Sequence, residues 1–183
     1  MGFELARVFA EKGAKVFLIT GPTQQTIEHS NVIRYDVKNA AQMYDKTVEC
    51  FEDCDIAILS AAVADYTPKS TFDTKLKKKT DNLVVELVPT KDILAELGRR
   101  KKENQILVGF ALETDNEFEN AKAKLEKKNL DFIVLNSLND KGAGFNVSTN
   151  KVTILDAKGN VYNSDLKSKY EVALDISEKI LGL

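Results

Sequence analysis

The sequence predicts an α/β fold: a Rossmann-like, doubly wound, mostly parallel sheet with helices on both faces. Three observations predict it. Short β-rich runs such as KVFLIT (15–20) and VIRYDV (32–37) alternate with stretches of helical periodicity. The runs 55–63 and 106–112 are apolar almost throughout, as strands buried on both faces are. The breaker Gly21-Pro22-Thr23 directly follows a strand-like run.

Taken in order, residues 2–13 place Phe3, Leu5, Ala6, Phe9 and Ala10 on one helical stripe, with Gly13 suited to the helix end. After the first two strands, Ala40–Phe51 spaces Ala41, Tyr44 and Val48 by three and four, the mark of a helix. Asp55–Val63 is the third strand. Leu83–Val88, LVVELV, reads as another, ending at Pro89-Thr90. Thr90 is placed to cap a helix over 91–102, whose stripe is Ile93, Leu94 and Leu97. Ile106–Leu112 is a buried strand, Glu117–Lys128 a charged amphipathic helix, and Asp131–Leu135 a strand with Asn136 at its end. Short runs at 145–147, 152–155 and 161–162, with a turn at 157–160, predict a small antiparallel β appendage before a last helix, Ser168–Leu181. A chain of 183 residues without a linker reads as one domain, 1–183. The chain opens on a helix, and a doubly wound unit normally opens on a strand and a glycine-rich turn; a first strand is therefore expected to be missing ahead of Met1.

Bulk properties narrow the functions. Hydrophobic residues are 43% and charged residues 30%, ordinary for a globular protein, and a net charge of −2 leaves no footprint for nucleic acid. No apolar run reaches the roughly 18–20 residues a membrane helix needs, and no secretory signal opens the chain, so the cytoplasm is the expected location. Cys50 and Cys54, with His29 as the single histidine, are too few for structural zinc. They are expected to be ordinary thiols.

Chemistry is expected where predicted strands end, because in an open parallel sheet those ends converge on one crevice. Gly21-Pro22, Ala61–Asp65, Gly109-Phe110-Ala111 and Asn136 all sit there. Small residues let a ligand approach the backbone, whose N–H groups bind phosphate oxygens. Asp65 suits a magnesium ion, a ribose or a base, and suits a plain strand-end turn equally well. Lys75, Lys77, Lys78 and Lys79 form a cationic run that is either a solvated loop or a lid over a polyphosphate. The polar stretch YTPKSTFDT before it predicts a long loop. Lys124 and Lys128 share one helix face, usually a solvated one. Phe110 beside Gly109 is ordinarily core.

Together these segments resemble the phosphopantothenoylcysteine synthetase family, the ligase half of the bacterial bifunctional coenzyme A biosynthesis protein. The resemblance rests on Gly21-Pro22, SAAVADY (60–66), KLKK (75–78), VGFALET (108–114), NLDFIVLN (129–136) and GFN (144–146), and covers nearly the whole chain. It implies that 4′-phosphopantothenate is activated with CTP, ATP being the less expected nucleotide, in the presence of Mg²⁺, and is then joined to L-cysteine. It implies nucleotide-binding roles for Asp65, Lys75, Lys91, Asp92, Ile93, Leu94, Phe110, Lys124 and Lys128, and a catalytic role for Lys75. Gly21, Ala61 and Ala62 match substrate or acyl-phosphate positions. Many relatives have proline where this chain has Lys91, which leaves a backbone contact rather than a side-chain one there. A homodimer is also implied.

Family members carry an Asn-x-x-Ser-Ser-Gly-Lys segment, with a catalytic asparagine, just before the Met-Gly that opens this chain. An alternative expectation is therefore a truncated, catalytically impaired CTP-binding and dimerisation module. A generic NAD-binding domain is disfavoured by the absent glycine fingerprint and by the lysine run.

Overall fold

The computed structural model describes residues 1–72, 74–75, 83–113, 116–137 and 147–182. The first helix, α1 (Gly2–Glu11), buries Leu5, Ala6, Val8, Phe9 and Ala10. It stops where Gly13 takes φ +92°, a left-handed value that favours glycine. Strand β1 (Val16–Thr20) then pairs in parallel with β2 (Val32–Asp36). Helix α2 (Ala40–Phe51) follows, its first turn capped by the Asn39 side chain accepting from the Gln42 N–H.

The central element is a five-stranded mixed sheet. It contains β3 (Ile56–Leu59), β6 (Ile106–Glu113), β7 (Phe132–Ser137), β9 (Val152–Asp156) and β10 (Val161–Asn163), in the order β10-β9-β7-β6-β3. Strands β3, β6 and β7 are parallel, and β9 and β10 antiparallel to their neighbours. The antiparallel hairpin is therefore no appendage: β9 extends the main sheet beside β7, because Val152, Ile154 and Leu155 are buried there. Its turn has Gly159 at φ +90°. A pair of two-residue strands, β8 (Thr149–Asn150) and β11 (Lys167–Ser168), docks the start of α5 (Lys169–Leu181). Ser168 and Glu171 form a reciprocal capping box there.

Helices cover both faces. Along β6, Val108 faces a cluster with Leu5, Val8 and Phe9 of α1 and Val172 and Ile176 of α5. Leu107 and Ala111 face a second cluster with Phe51 of α2 and residues of α3 (Ile93–Arg100) and α4 (Glu117–Lys127). The alternation is the period-two geometry of a strand buried on two sides. Each Leu or Val so buried contributes about 1.5–3 kcal/mol.

Several expected elements change. The strand expected over 55–63 ends at Leu59 and is only half-buried along its length, since β6 is its one strand neighbour among the described residues. The β1–β2 pair likewise forms its own two-stranded unit. Of the run 83–88 only Leu87 and Val88 enter a strand, β5 (Leu87–Pro89), which pairs antiparallel with β4 (Tyr66–Pro68). Part of the expected long loop is thus a strand. Every residue of the pair but Val88 is exposed, and so are Leu83, Val84 and Val85 before β5. Of the expected run 145–147, Val147 is not in a strand and the rest, like the GFN motif and Lys77–Lys79, lies outside the described residues.

Candidate functional site

The parallel strands β3, β6 and β7 run the same way: Glu113 and Ser137 are level at their C-terminal edge, and Leu59, level with Gly109, ends four residues short of it. The start of α1 is at the end of β3: a Cβ built on Gly2 would meet Ser60 Oγ at 2.9 Å. Arg34, in the middle of β2, lies over the Phe3 ring of α1, 5.5 Å from its centroid. Gly21 follows β1, half-buried, with open space where a Cβ would stand. Ala61, Ala62 and Asp65 leave β3 as an exposed segment. This is the strand-end edge at which ligands of open α/β sheets are held.

The segment is tied to α3 through Thr90. The Thr90 hydroxyl donates to the Ala64 carbonyl at 2.7 Å, and the Thr90 N–H to the Asp65 carbonyl at 2.9 Å. Thr90 is therefore not the helix cap. That role falls to Asp92, whose carboxylate accepts from the Ala95 N–H at 3.0 Å, and the helix begins at Ile93. Thr90 is spent on a long-range tie, and the shorter turn to Asp92 supplies the acceptor.

Asp92 also receives the Lys128 ammonium, at 3.0 Å from one carboxylate oxygen and 3.3 Å from the other. Burial by itself raises the Asp92 pKa, but the Ala95 N–H and the Lys128 charge outweigh it, and the net direction is downward. Lys128 and Lys124 follow one another on α4, the Lys128 N–H donating to the Lys124 carbonyl at 3.0 Å. The side chain of Lys91 lies over the Tyr44 ring of α2, 4.3 Å from its centroid. So the ties connect Ala64, Asp65, Thr90, Lys91, Asp92 and Lys128 in one continuous region. Lys75 is exposed.

Other expected site residues are placed elsewhere. The Ile93 side chain is 6% exposed and belongs to the core beneath α3. Only its backbone is left for a ligand. Leu94 packs against Gly109, where a Cβ would come within 2.8 Å of Leu94 Cδ2. Phe110 is half-buried against the α1–α5 cluster, on the opposite sheet face from α3 and α4. The structure does not bring its side chain to Lys124 or Lys128. Sequence reasoning missed Tyr44, Thr90 as a tie, and the Asp92–Lys128 pair. The one local signal was Gly98, a glycine inside a helix.

Among the described residues, no three His, Cys, Asp or Glu side chains gather as a metal centre. Asp65 is a single exposed carboxylate, which suits a magnesium ion that keeps its waters and most of its contacts to phosphate. Cys50 and Cys54 are free, and burial pushes the Cys54 thiol up to about 11. That leaves a protonated, unreactive thiol at neutral pH. No helix among the described residues is long and apolar enough to cross a membrane.

A central mixed sheet with helices on both faces and small residues at its parallel strand ends defines a mixed α/β domain. The chain belongs to the DNA/pantothenate metabolism flavoprotein C-terminal domain family, whose model matches residues 1–183. It is 53% identical over 183 residues to a cysteine/cysteine sulfinic acid decarboxylase of an unknown prokaryotic organism, covering 100% of this chain and 51% of that protein. It is 43% identical over 183 residues to the coenzyme A biosynthesis bifunctional protein CoaBC of Bacillus subtilis (strain 168), covering 100% of this chain and 45% of that protein. The fold matches the crystal structure of the C-terminal domain of a CoaBC protein with a TM-score of 0.81 at 35% identity, over 97% of this chain and 79% of that one. The CoaBC relatives agree with the resemblance carried by the motifs; the decarboxylase carries a different name. The chain spans about half the length of the curated relatives it matches.

Proposed function

We propose that this chain acts in coenzyme A biosynthesis as a phosphopantothenate–cysteine ligase, using CTP. The family match over residues 1–183, with 43% identity to a CoaBC protein, carries the reading. The region joined by Thr90 and by Asp92–Lys128 supports it, because it places cations and helix N–H groups beside an exposed small-residue floor.

In the first step a carboxylate oxygen of 4′-phosphopantothenate attacks the α-phosphorus of CTP. The bond from that phosphorus to the bridging oxygen breaks and pyrophosphate leaves, giving an acyl-cytidylate. In the second, the amine of L-cysteine attacks the acyl carbon, the amide forms, CMP departs and the amine loses its proton to solvent. Charge builds at the α-phosphate and on pyrophosphate, so fixed cations there lower the barrier. Lys75 serves that charge, while Lys124 and Lys128 hold the nucleotide. The backbone of Lys91–Leu94 offers the helix start and Asp65 the ribose, the base or Mg²⁺; Phe110, on the other sheet face, is left out of the nucleotide site. Gly21, Ala61 and Ala62 admit the acyl-phosphate close to the backbone. Mg²⁺, held by Asp65 and the triphosphate, would neutralise phosphate charge.

The amide-forming step in this reading draws on the Asn-x-x-Ser-Ser-Gly-Lys segment of the family pattern. The reading also includes a cytoplasmic homodimer. Its support is the β4–β5 ribbon, where Tyr66, Phe72, Leu83, Val84, Val85 and Leu87 are all more than half exposed. The test is product analysis with CTP, phosphopantothenate and cysteine. The reading expects CMP to form only when phosphopantothenate is present; CTP consumption that ignores phosphopantothenate would refute it.

A further inference from the structure

Lys128 caps the end of α4 and the Lys91–Leu94 segment opens α3, so their spacing is only as constant as the contact between those helices. Three features fix that contact. Gly98, inside α3, lies so close to the end of α4 that a Cβ there would stand 1.9 Å from the Lys128 carbonyl oxygen. No side chain fits. Asn129, the next residue, takes φ +52° as α4 ends, and its side-chain amide donates to the Gly98 carbonyl at 3.0 Å. Beyond α3, the Lys101 ammonium reaches both oxygens of Asp131 at 3.0 Å.

The result is that the backbone of Lys128 is held against the C-terminal half of α3 while its ammonium reaches Asp92 at the start of the same helix. A lysine stem has four rotatable bonds, and an ammonium is a point charge with no directional fork. Its location is set by where its backbone is anchored and by what it pairs with. Here both are properties of α3.

We propose that Gly98 and Asn129 are positioning residues for nucleotide binding: their contact fixes the Lys128 ammonium at the start of α3, beside Asp92. They act through Lys128 and touch no ligand themselves. This rests on the reading of Lys128 as a nucleotide-binding residue. If the contact were only helix packing, its loss would lower stability and leave the affinity of the folded protein unchanged. Positioning predicts instead that the loss is felt through Lys128 alone.

A double-mutant cycle on the full chain separates the two. Asn129→Gly keeps the left-handed backbone and removes the amide. CTP affinity in the presence of Mg²⁺ is measured by titration calorimetry for the wild type, Asn129→Gly, Lys128→Gln and the double variant, with Tm recorded for each. Asn129→Gly is expected to weaken binding about 3- to 10-fold in the wild-type background and to have almost no effect once Lys128 is glutamine. Gly98→Ala is expected to weaken binding further, and Asn129→Gly keeps the test available should that variant fail to fold. Equal losses in both backgrounds, or none, would overturn the positioning role alone. A Lys128→Gln variant that binds CTP as the wild type does would overturn the nucleotide role of Lys128, and the positioning with it.

Discussion

The hydroxyl of Thr90 donates to the carbonyl of Ala64 at 2.7 Å, joining the exposed segment after β3 to the residue just ahead of Lys91 and Asp92. Two stretches 26 positions apart thereby become one wall of the candidate site. The bond lies in an exposed setting, so it matters more for geometry than for stability.

Thr90→Val removes that hydroxyl at nearly constant volume. The expected cost in unfolding free energy is at most about 1 kcal/mol, the net value of one hydrogen bond. Pyrophosphate release is expected to fall about 5-fold or more, because small displacements of reacting groups are costly. Urea unfolding and a coupled pyrophosphate assay read the two effects separately.

Lys75→Gln tests the cation assigned to the developing phosphate charge. The side chain is exposed and supports no core, so Tm is expected to stay unchanged. CMP formation is expected to fall about 100-fold or more, the effect of removing one charge-stabilising group from an active site. An unchanged rate would remove Lys75 from the mechanism.

Asp131 is the residue on which α3, β6 and β7 meet. It accepts from the Leu107 N–H at 2.7 Å and pairs with Lys101, whose side chain is 12% exposed. Asp131→Ala leaves both donors without that acceptor and is expected to cost about 3 kcal/mol in denaturant unfolding. Asp131→Asn, which can still accept from Leu107, is expected to cost less.

Asp92 gives a pH signature. Its folded pKa is lowered, so its ionised form contributes stability above the unfolded value near 3.8, and that contribution is lost as pH falls through the folded value. Asp92→Asn keeps a cap but loses the charge. Its Tm is expected to lie below wild type at pH 7, with the gap closing below about pH 4. A gap that persists at pH 2 would mean the charge is not the cause.

Much of the fold was legible because it rests on local patterns. Helix α2 lies over the expected residues, and the β6 and α4 boundaries shift by a residue at most. What local pattern could not carry was what a segment packs against. The run 83–88 has strand composition, yet most of it is exposed outside a short ribbon. Asp55–Val63 looks buried on both faces, but only Ile56–Leu59 is strand, and its burial depends on neighbours the run cannot name. The same limit applies to the site. Ala61–Asp65 was visible as small residues at a strand end. The pairing of Asp92 with Lys128, 36 positions away, is a tertiary fact. Thr90 has the chemistry of a cap, and only the fold assigns its hydroxyl to Ala64.

The most direct test of the account is pyrophosphate release by this chain with phosphopantothenate present and cysteine absent, comparing CTP with ATP. The account predicts release from CTP that requires phosphopantothenate and exceeds that from ATP. No release from either nucleotide, or release that does not depend on phosphopantothenate, would contradict it.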